Sequence, residues 1–185
     1  DVLVETMRIL REQGESGATM SGIPSGFDQL DKITMGLQRS DLIVVAARPG
    51  MGKTSFALSV ASNVAIRSGK AVVLFSLEMG AEQLAMRLLS SEAHVNLKDL
   101  RGGKPHPDDV NAMVEAAGRL SEANIYLDDT PAIKLADIRA RTRRLALRGQ
   151  CDVIILDYLQ LMGVRSGVPR EQQISEVSRG LKALA

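Results

Sequence analysis

Ala47-Arg48-Pro49-Gly50-Met51-Gly52-Lys53-Thr54, ARPGMGKT, follows an unbroken apolar run, Leu42–Ala46, and opens a stretch where Phe56, Ala57, Val60, Ala61 and Val64 recur at helical spacing. A glycine loop between a strand and a helix can wrap an anion. Gly50 and Gly52 can turn consecutive N–H groups inward, toward the positive end of the following helix dipole. Lys53 then reaches the β and γ phosphates of a nucleotide as a point charge, and the Thr54 hydroxyl holds a Mg²⁺ that bridges them. Nucleotide contacts are therefore expected from Arg48, Pro49, Gly50, Met51, Gly52, Lys53, Thr54 and Ser55. The general pattern GxxxxGK[ST] asks for Gly where this chain has Ala47, but its dense part, GMGKT, is intact. A glycine turn with a chance Lys and Thr is the alternative, and the flanking strand and helix patterns weigh against it.

The continuous apolar character of Leu42–Ala46 suits a parallel strand buried on both faces, with the loop at its carboxyl end, where open α/β sheets bind ligands. A second such strand, Ala71–Leu77, ends in Glu78 within FSLEM. A carboxylate there can orient and deprotonate the water that attacks a γ phosphate. From position alone it can equally be a first-turn acid of the helix that follows, about Ala81–Ala93, which buries Leu84, Leu88 and Leu89. A third strand, Ile125–Leu127, leads to Asp128, Asp129 and Thr130, which read as an Asx turn capping the next helix rather than a metal site. That helix buries Leu135, Ile138, Thr142 and Leu145. Its arginines, Arg139, Arg141, Arg143, Arg144 and Arg148, read as a solvated face or a subunit contact rather than a nucleic acid site. The strand Val153–Leu156 ends in Asp157, placed to approach Mg²⁺ through a water at the sheet edge. Gln160, three residues on, can set a neutral amide near the γ phosphate and sense it.

Upstream, residues 1–13 carry an apolar stripe (Leu3, Met7, Leu10) at helical spacing, and a helix that short must dock on its own domain or on a neighbour. Residues 14–25, rich in Gly and Ser, read as a flexible linker, leaving 26–185 as the α/β core. Phe27, Leu30 and Ile33 predict a short helix that Gly36 ends. With 185 residues, 45% hydrophobic content and a net charge of +1, the chain can bury a real core, and any nucleic acid site has to be a local patch. Cys151 is the one cysteine, so no internal disulfide forms and it reads as a core residue. His94 and His106 lack ligand partners at metal spacing and read as solvated. No apolar run is long enough for a membrane span, and a cytoplasmic protein is expected. The chain opens without Met and finishes inside a helical pattern (Ile174, Val177, Leu181, Leu184), so it reads as a fragment.

GIPSGFDQLD, ARPGMGKT, FSLEM and DYLQLM, in this order, resemble the ATPase domain of the replicative DNA helicases of the DnaB type, a branch of the RecA-like ATPases. The resemblance covers nearly the whole chain, and Ala47 is ordinary there, since ARP precedes the loop in that family. It implies a RecA-like α/β fold with a mostly parallel sheet flanked by helices. It also implies a homohexameric ring around single-stranded DNA that moves 5′ to 3′ on ATP and Mg²⁺, with a primase and a helicase loader as partners. By the same resemblance Lys53 and Thr54 serve phosphate and metal, Glu78 is the catalytic base, Asp157 the metal partner and Gln160 the sensor. The helix over 1–13 resembles the family's linker helix, which docks on the adjacent protomer. Gly163–Gln173 resembles a channel-facing loop in which Arg165 and Arg170 meet DNA phosphates; a solvated loop would read the same. The family's next strand, between the phosphate-loop strand and the Asp157 strand, and the basic finger that reaches a neighbour's ATP are not in these residues. Hydrolysis by these residues alone is accordingly expected to be slow or absent.

Two other readings stand beside the ring motor. One is a RecA-like recombination or repair ATPase, which FSLEM and DYLQLM weigh against. The other is a nucleotide-dependent assembly module, which has no use for a base at Glu78.

Overall fold

The structure, a computed structural model, describes Val4, Met7 and residues 20–103, 106–157 and 170–185. Its sheet is built on β1 (Val72–Ser76), whose run Val-Val-Leu-Phe offers water no polar side chain on either face. It takes the central place in a three-stranded parallel sheet, between β2 (Ile125–Asp128) and β3 (Val153–Asp157). The register runs from Val72↔Ile125 to Phe75↔Asp128 on one side and from Val72↔Val153 to Ser76↔Asp157 on the other. No β1 residue exceeds 2% exposure. The described helices are α1 (Asp28–Thr34), α2 (Lys53–Ser62), α3 (Ala81–Ala93), α4 (Leu97–Arg101), α5 (Pro107–Glu122), α6 (Leu135–Ala146) and α7 (Arg170–Lys182).

Alternation along β1 splits the core in two. Val72 and Leu74 pack with Leu58, Ala61, Val64, Leu84 and Leu88, contributed by α2, the π-helical turn Asn63–Arg67 and α3. Val73 and Phe75 pack with Ile133 and Ile138, and with Leu145 of α6 and Val177 of α7 behind them. Helices thus cover both faces, the condition under which parallel strands are stable.

The expected strand Leu42–Ala46 is not formed. Residues 41–48 have no regular structure, and Ile43, Val44 and Val45 are 54%, 78% and 47% exposed. A strand exists only through the ladder beside it, and among the described residues none lies next to this segment to take up its N–H and C=O groups.

The opening part of the body is held by a carboxylate. Asp31, 3% exposed, accepts hydrogen bonds from the Ser25 amide at 2.9 Å, the Ser25 hydroxyl at 2.7 Å and the Gly26 amide at 3.1 Å. Asn63 donates to the Ser25 carbonyl at 3.1 Å, and a Cβ on Gly26 would lie 2.2 Å from the Asn63 amide, so only glycine fits. This is the physical content of GIPSGFDQLD. Gly22 and Ile23 also bond to Met35 and Leu37, so the packed body takes in Gly22–Ser25, which composition reads as linker. The left-handed residue that ends α1 is Met35, φ 59°, one before the expected Gly36. His106 is more than solvated, since its Nδ1 accepts from the Asp108 amide at 3.4 Å and caps α5.

Candidate nucleotide-binding site

α2 begins at Lys53 with no side chain capping its first amides. Its N-cap, Gly52, has φ 87°, and Gly50 has φ 78°, backbone angles that a side chain would strain. A Cβ at either glycine would meet nothing within 4 Å, so the loop borders open space. Arg48, Pro49, Met51 and Ser55 are exposed around it. Open space before a helix N-terminus with orphan N–H groups suits an oxyanion.

Three of the expected side chains meet at one point. The Lys53 Nζ lies 3.1 Å from Asp157 Oδ1, and the Thr54 hydroxyl donates to Asp157 Oδ2 at 2.6 Å. Asp157 is 4% exposed at the carboxyl end of β3, and its Oδ1 has the ion-pair distance to Lys53 but no hydrogen bond. A buried carboxylate oxygen with spare capacity, beside a hydroxyl, fits a hard divalent cation. Among the described residues no cluster of three or more His, Cys, Asp or Glu is present.

Glu78 follows from the sheet register. The Leu77 amide donates to the Asp157 carbonyl at 2.7 Å, which sets the tips of β1 and β3 side by side, and Glu78 is the next residue, exposed. Lys53, Thr54, Glu78 and Asp157 therefore share one edge of the sheet. Gln160 and Arg165 lie outside the described residues. Arg170 opens α7 and is exposed.

Beside this edge stands a network not foreseen from the chain. Asp128 accepts from the Thr130 amide at 3.1 Å and the Thr130 hydroxyl at 2.7 Å, the expected Asx turn, but α6 begins after Lys134 with no side-chain cap. Arg141 is not simply solvated, since it pairs with Asp128 and donates to the Thr130 hydroxyl at 2.8 Å. Arg139 donates to the Gly180 carbonyl at 2.9 Å, tying α6 to α7. Asp129 caps α3, 48 residues away in sequence, through the Ala81 amide. The adjacent acids DDTP were the available signal, but a chain reading cannot say whose helix they cap.

Burial acts to raise the Asp128 pKa, while the Thr130 and Arg141 hydrogen bonds outweigh it and hold the carboxyl below its ordinary 3.8. A depressed folded pKa stabilises the fold above the unfolded value, and the contribution is lost as pH falls through the folded one. Urea midpoints of the wild type and Asp128→Asn should accordingly converge as pH drops below 3.8. A constant gap would show that Asp128 gains nothing from its charge. Burial, and then the Asp152 charge, push the Cys151 thiol up, in keeping with its place against the Val73 and Phe75 cluster.

A parallel sheet with helices on both faces, carrying a glycine loop and strand-end carboxylates on one edge, is a domain of the RecA-like class. Residues 22–185 match the family described as DnaB-like helicase C terminal domain. The chain is 49% identical over 187 residues to the replicative DNA helicase DnaB of Geobacillus stearothermophilus, covering 100% of this chain and 41% of that protein. It is 47% identical to the replicative DNA helicase DnaC of Bacillus subtilis (strain 168), again over 100% of this chain and 41% of the relative. Among solved structures, one described as an ATPase domain superposes with a TM-score of 0.91 at 31% identity, over 100% of this chain and 66% of that one. A DnaB-like replicative helicase, solved in work on its interactions with primase, gives 0.87 at 33% identity, over 97% and 45%. The chain belongs to the DnaB-like helicase C-terminal domain family, and it spans about two fifths of the length of the curated relatives it matches.

Proposed function

We propose that this chain is the ATP-hydrolysing core of a replicative DNA helicase, a ring motor that translocates on single-stranded DNA and separates the duplex. The observation that carries the reading is the convergence of Lys53 and Thr54 on Asp157, with Glu78 one residue past the backbone bond that joins the strand tips.

In this reading the amides of Gly50–Thr54 and the Lys53 ammonium bind the β and γ phosphates of ATP, with Arg48, Pro49, Met51 and Ser55 around them. Thr54 and Asp157 hold Mg²⁺, which neutralises phosphate charge when bound. Lys53 exchanges its Asp157 contact for the nucleotide as the site fills. Glu78 holds a water in line with the γ phosphate and accepts its proton, and Gln160 senses whether that phosphate is present. The products are ADP and inorganic phosphate.

Residues 1–13 act as the linker helix that docks on a neighbouring protomer, 14–21 as the linker and 22–185 as the ATPase core. Six copies form the ring, and a neighbour supplies the basic finger. Val4 and Met7, 67% and 66% exposed, and Val110 and Val114 on α5, 45% and 67% exposed, offer apolar surface for such contacts. Arg165 and Arg170 contact the DNA backbone, giving binding that ignores sequence and weakens with salt. A primase and a loader are the expected protein partners, and the setting is the cytoplasm.

The full-length protein should show ATPase that rises with single-stranded DNA and should unwind a forked duplex only when a free 5′ tail is present. Strand exchange without unwinding would replace the motor with a recombinase. Nucleotide-dependent assembly without turnover would replace it with a scaffold.

A further inference from the structure

Glu78 stands in the bend Leu77–Gly80, which joins β1 to α3; Leu77 still bonds to the Asp157 carbonyl and the Gly80 carbonyl accepts from Gln83 and Leu84, so the stretch without ladder or helix bonds is Glu78 and Met79. A carboxylate on two residues without backbone bonds has room to wander, and chemistry on a phosphate tolerates little wandering, since about 1 Å of misplacement can cost about 10²-fold in rate. Two side chains from outside the bend close it. On the β1 side the Ser76 hydroxyl, from a residue 2% exposed, donates to the Met79 carbonyl at 2.7 Å and accepts from the Met79 amide at 3.1 Å. One oxygen thus fixes both backbone groups of the residue after Glu78. On the α3 side the N-cap is Gly80, which has no side chain to offer, and Asp129 Oδ2 takes the Ala81 amide instead at 2.9 Å.

The reach of Asp129 is set by the sheet. It follows β2, whose last residue, Asp128, stands opposite Phe75 of β1. The turn that carries it is itself held, because Asp128 binds Thr130 and Arg141. Ser76 and Asp129 therefore bracket the bend from two strands, and the backbone at Glu78 is pinned within three residues on each side. Neither forms a hydrogen bond to the loop from Arg48 to Ser55.

We infer that Ser76 and Asp129 are positioning residues for Glu78, fixing where its carboxylate stands relative to the Lys53–Asp157 pair without touching the nucleotide. The inference rests on Glu78 being the base. Loss of either bracket should then slow the chemical step and spare ATP affinity.

The test measures DNA-stimulated ATP turnover and equilibrium binding of a fluorescent ATP analogue by the full-length protein. The variants are Asp129→Ala, Asp129→Asn, Ser76→Ala and Glu78→Gln. Asp129→Ala should lower kcat about ten- to a hundredfold and leave analogue affinity within about twofold. Asp129→Asn keeps an acceptor oxygen in place and, as an equally good helix cap, should restore most of the rate. Ser76→Ala should act in the same direction as Asp129→Ala. A native kcat in Asp129→Ala, an affinity loss as large as the rate loss, or an Asn variant as slow as the Ala variant would each overturn the positioning role. Glu78→Gln separates the two layers. An inactive Glu78→Gln beside a fully active Asp129→Ala removes only the positioning inference, whereas a fully active Glu78→Gln removes the base and with it anything to position.

Discussion

Glu78→Gln should lower the kcat of DNA-stimulated ATP hydrolysis by about 10³-fold while ATP still binds, because a general base contributes about 10²–10⁴ and the amide cannot take a proton. The substitution keeps size and hydrogen-bonding reach, so the bend and the strand tips should stand as they do. Binding should persist because the groups assigned to the phosphates are the Gly50–Thr54 amides and Lys53, on a different element from Glu78. Measured as single-turnover hydrolysis beside equilibrium binding, the two quantities should separate cleanly. A variant with full turnover would leave Glu78 as a first-turn acid of α3 and nothing more.

Lys53→Ala should do the opposite and strike binding. A charge-assisted contact to phosphate is worth roughly 1.5–3 kcal/mol, so ATP affinity should fall about 10- to 150-fold. The structure adds a second cost. Lys53 is the cation beside Asp157, a carboxylate 4% exposed, and its removal leaves that negative charge facing the incoming phosphates. Mg²⁺ on the same carboxylate can offset this repulsion. The affinity loss should therefore be larger in EDTA than in Mg²⁺, by titration of the same variant in both. Equal losses in the two conditions would mean that Asp157 does not face the nucleotide.

The readable parts of the fold were those whose signal is local. β1, β2 and β3 fall where short apolar runs end in an acid, and α3 spans the expected Ala81–Ala93, closed by His94 in the left-handed region, φ 57°. Lys53, Thr54 and Asp157 were legible as residue types. That the hydroxyl and the carboxylate, 103 positions apart, meet at 2.6 Å is a property of the folded chain, in which α2 brings Thr54 to the end of β3. The misreadings share one cause. Leu42–Ala46 has strand composition, but ladder bonds belong to pairs of segments. Asp129 has capping chemistry, but the helix it caps starts far upstream. Arg141 lies among five arginines that chain order cannot tell apart, and its partner Asp128 is selected only when α6 folds back over the end of β2. The π-helical turn Asn63–Arg67 likewise has no sequence signature, and Asn63 shows its use only when the Ser25 carbonyl arrives.

The most direct test is a structure of the full-length protein with Mg²⁺ and a non-hydrolysable ATP analogue. It should show the β and γ phosphates against the Gly50–Thr54 amides, Lys53 moved from Asp157 onto the phosphates, the cation between Thr54 and Asp157, and the Glu78 carboxylate facing the γ phosphate. A triphosphate seated elsewhere, with Lys53 still on Asp157, would contradict that arrangement.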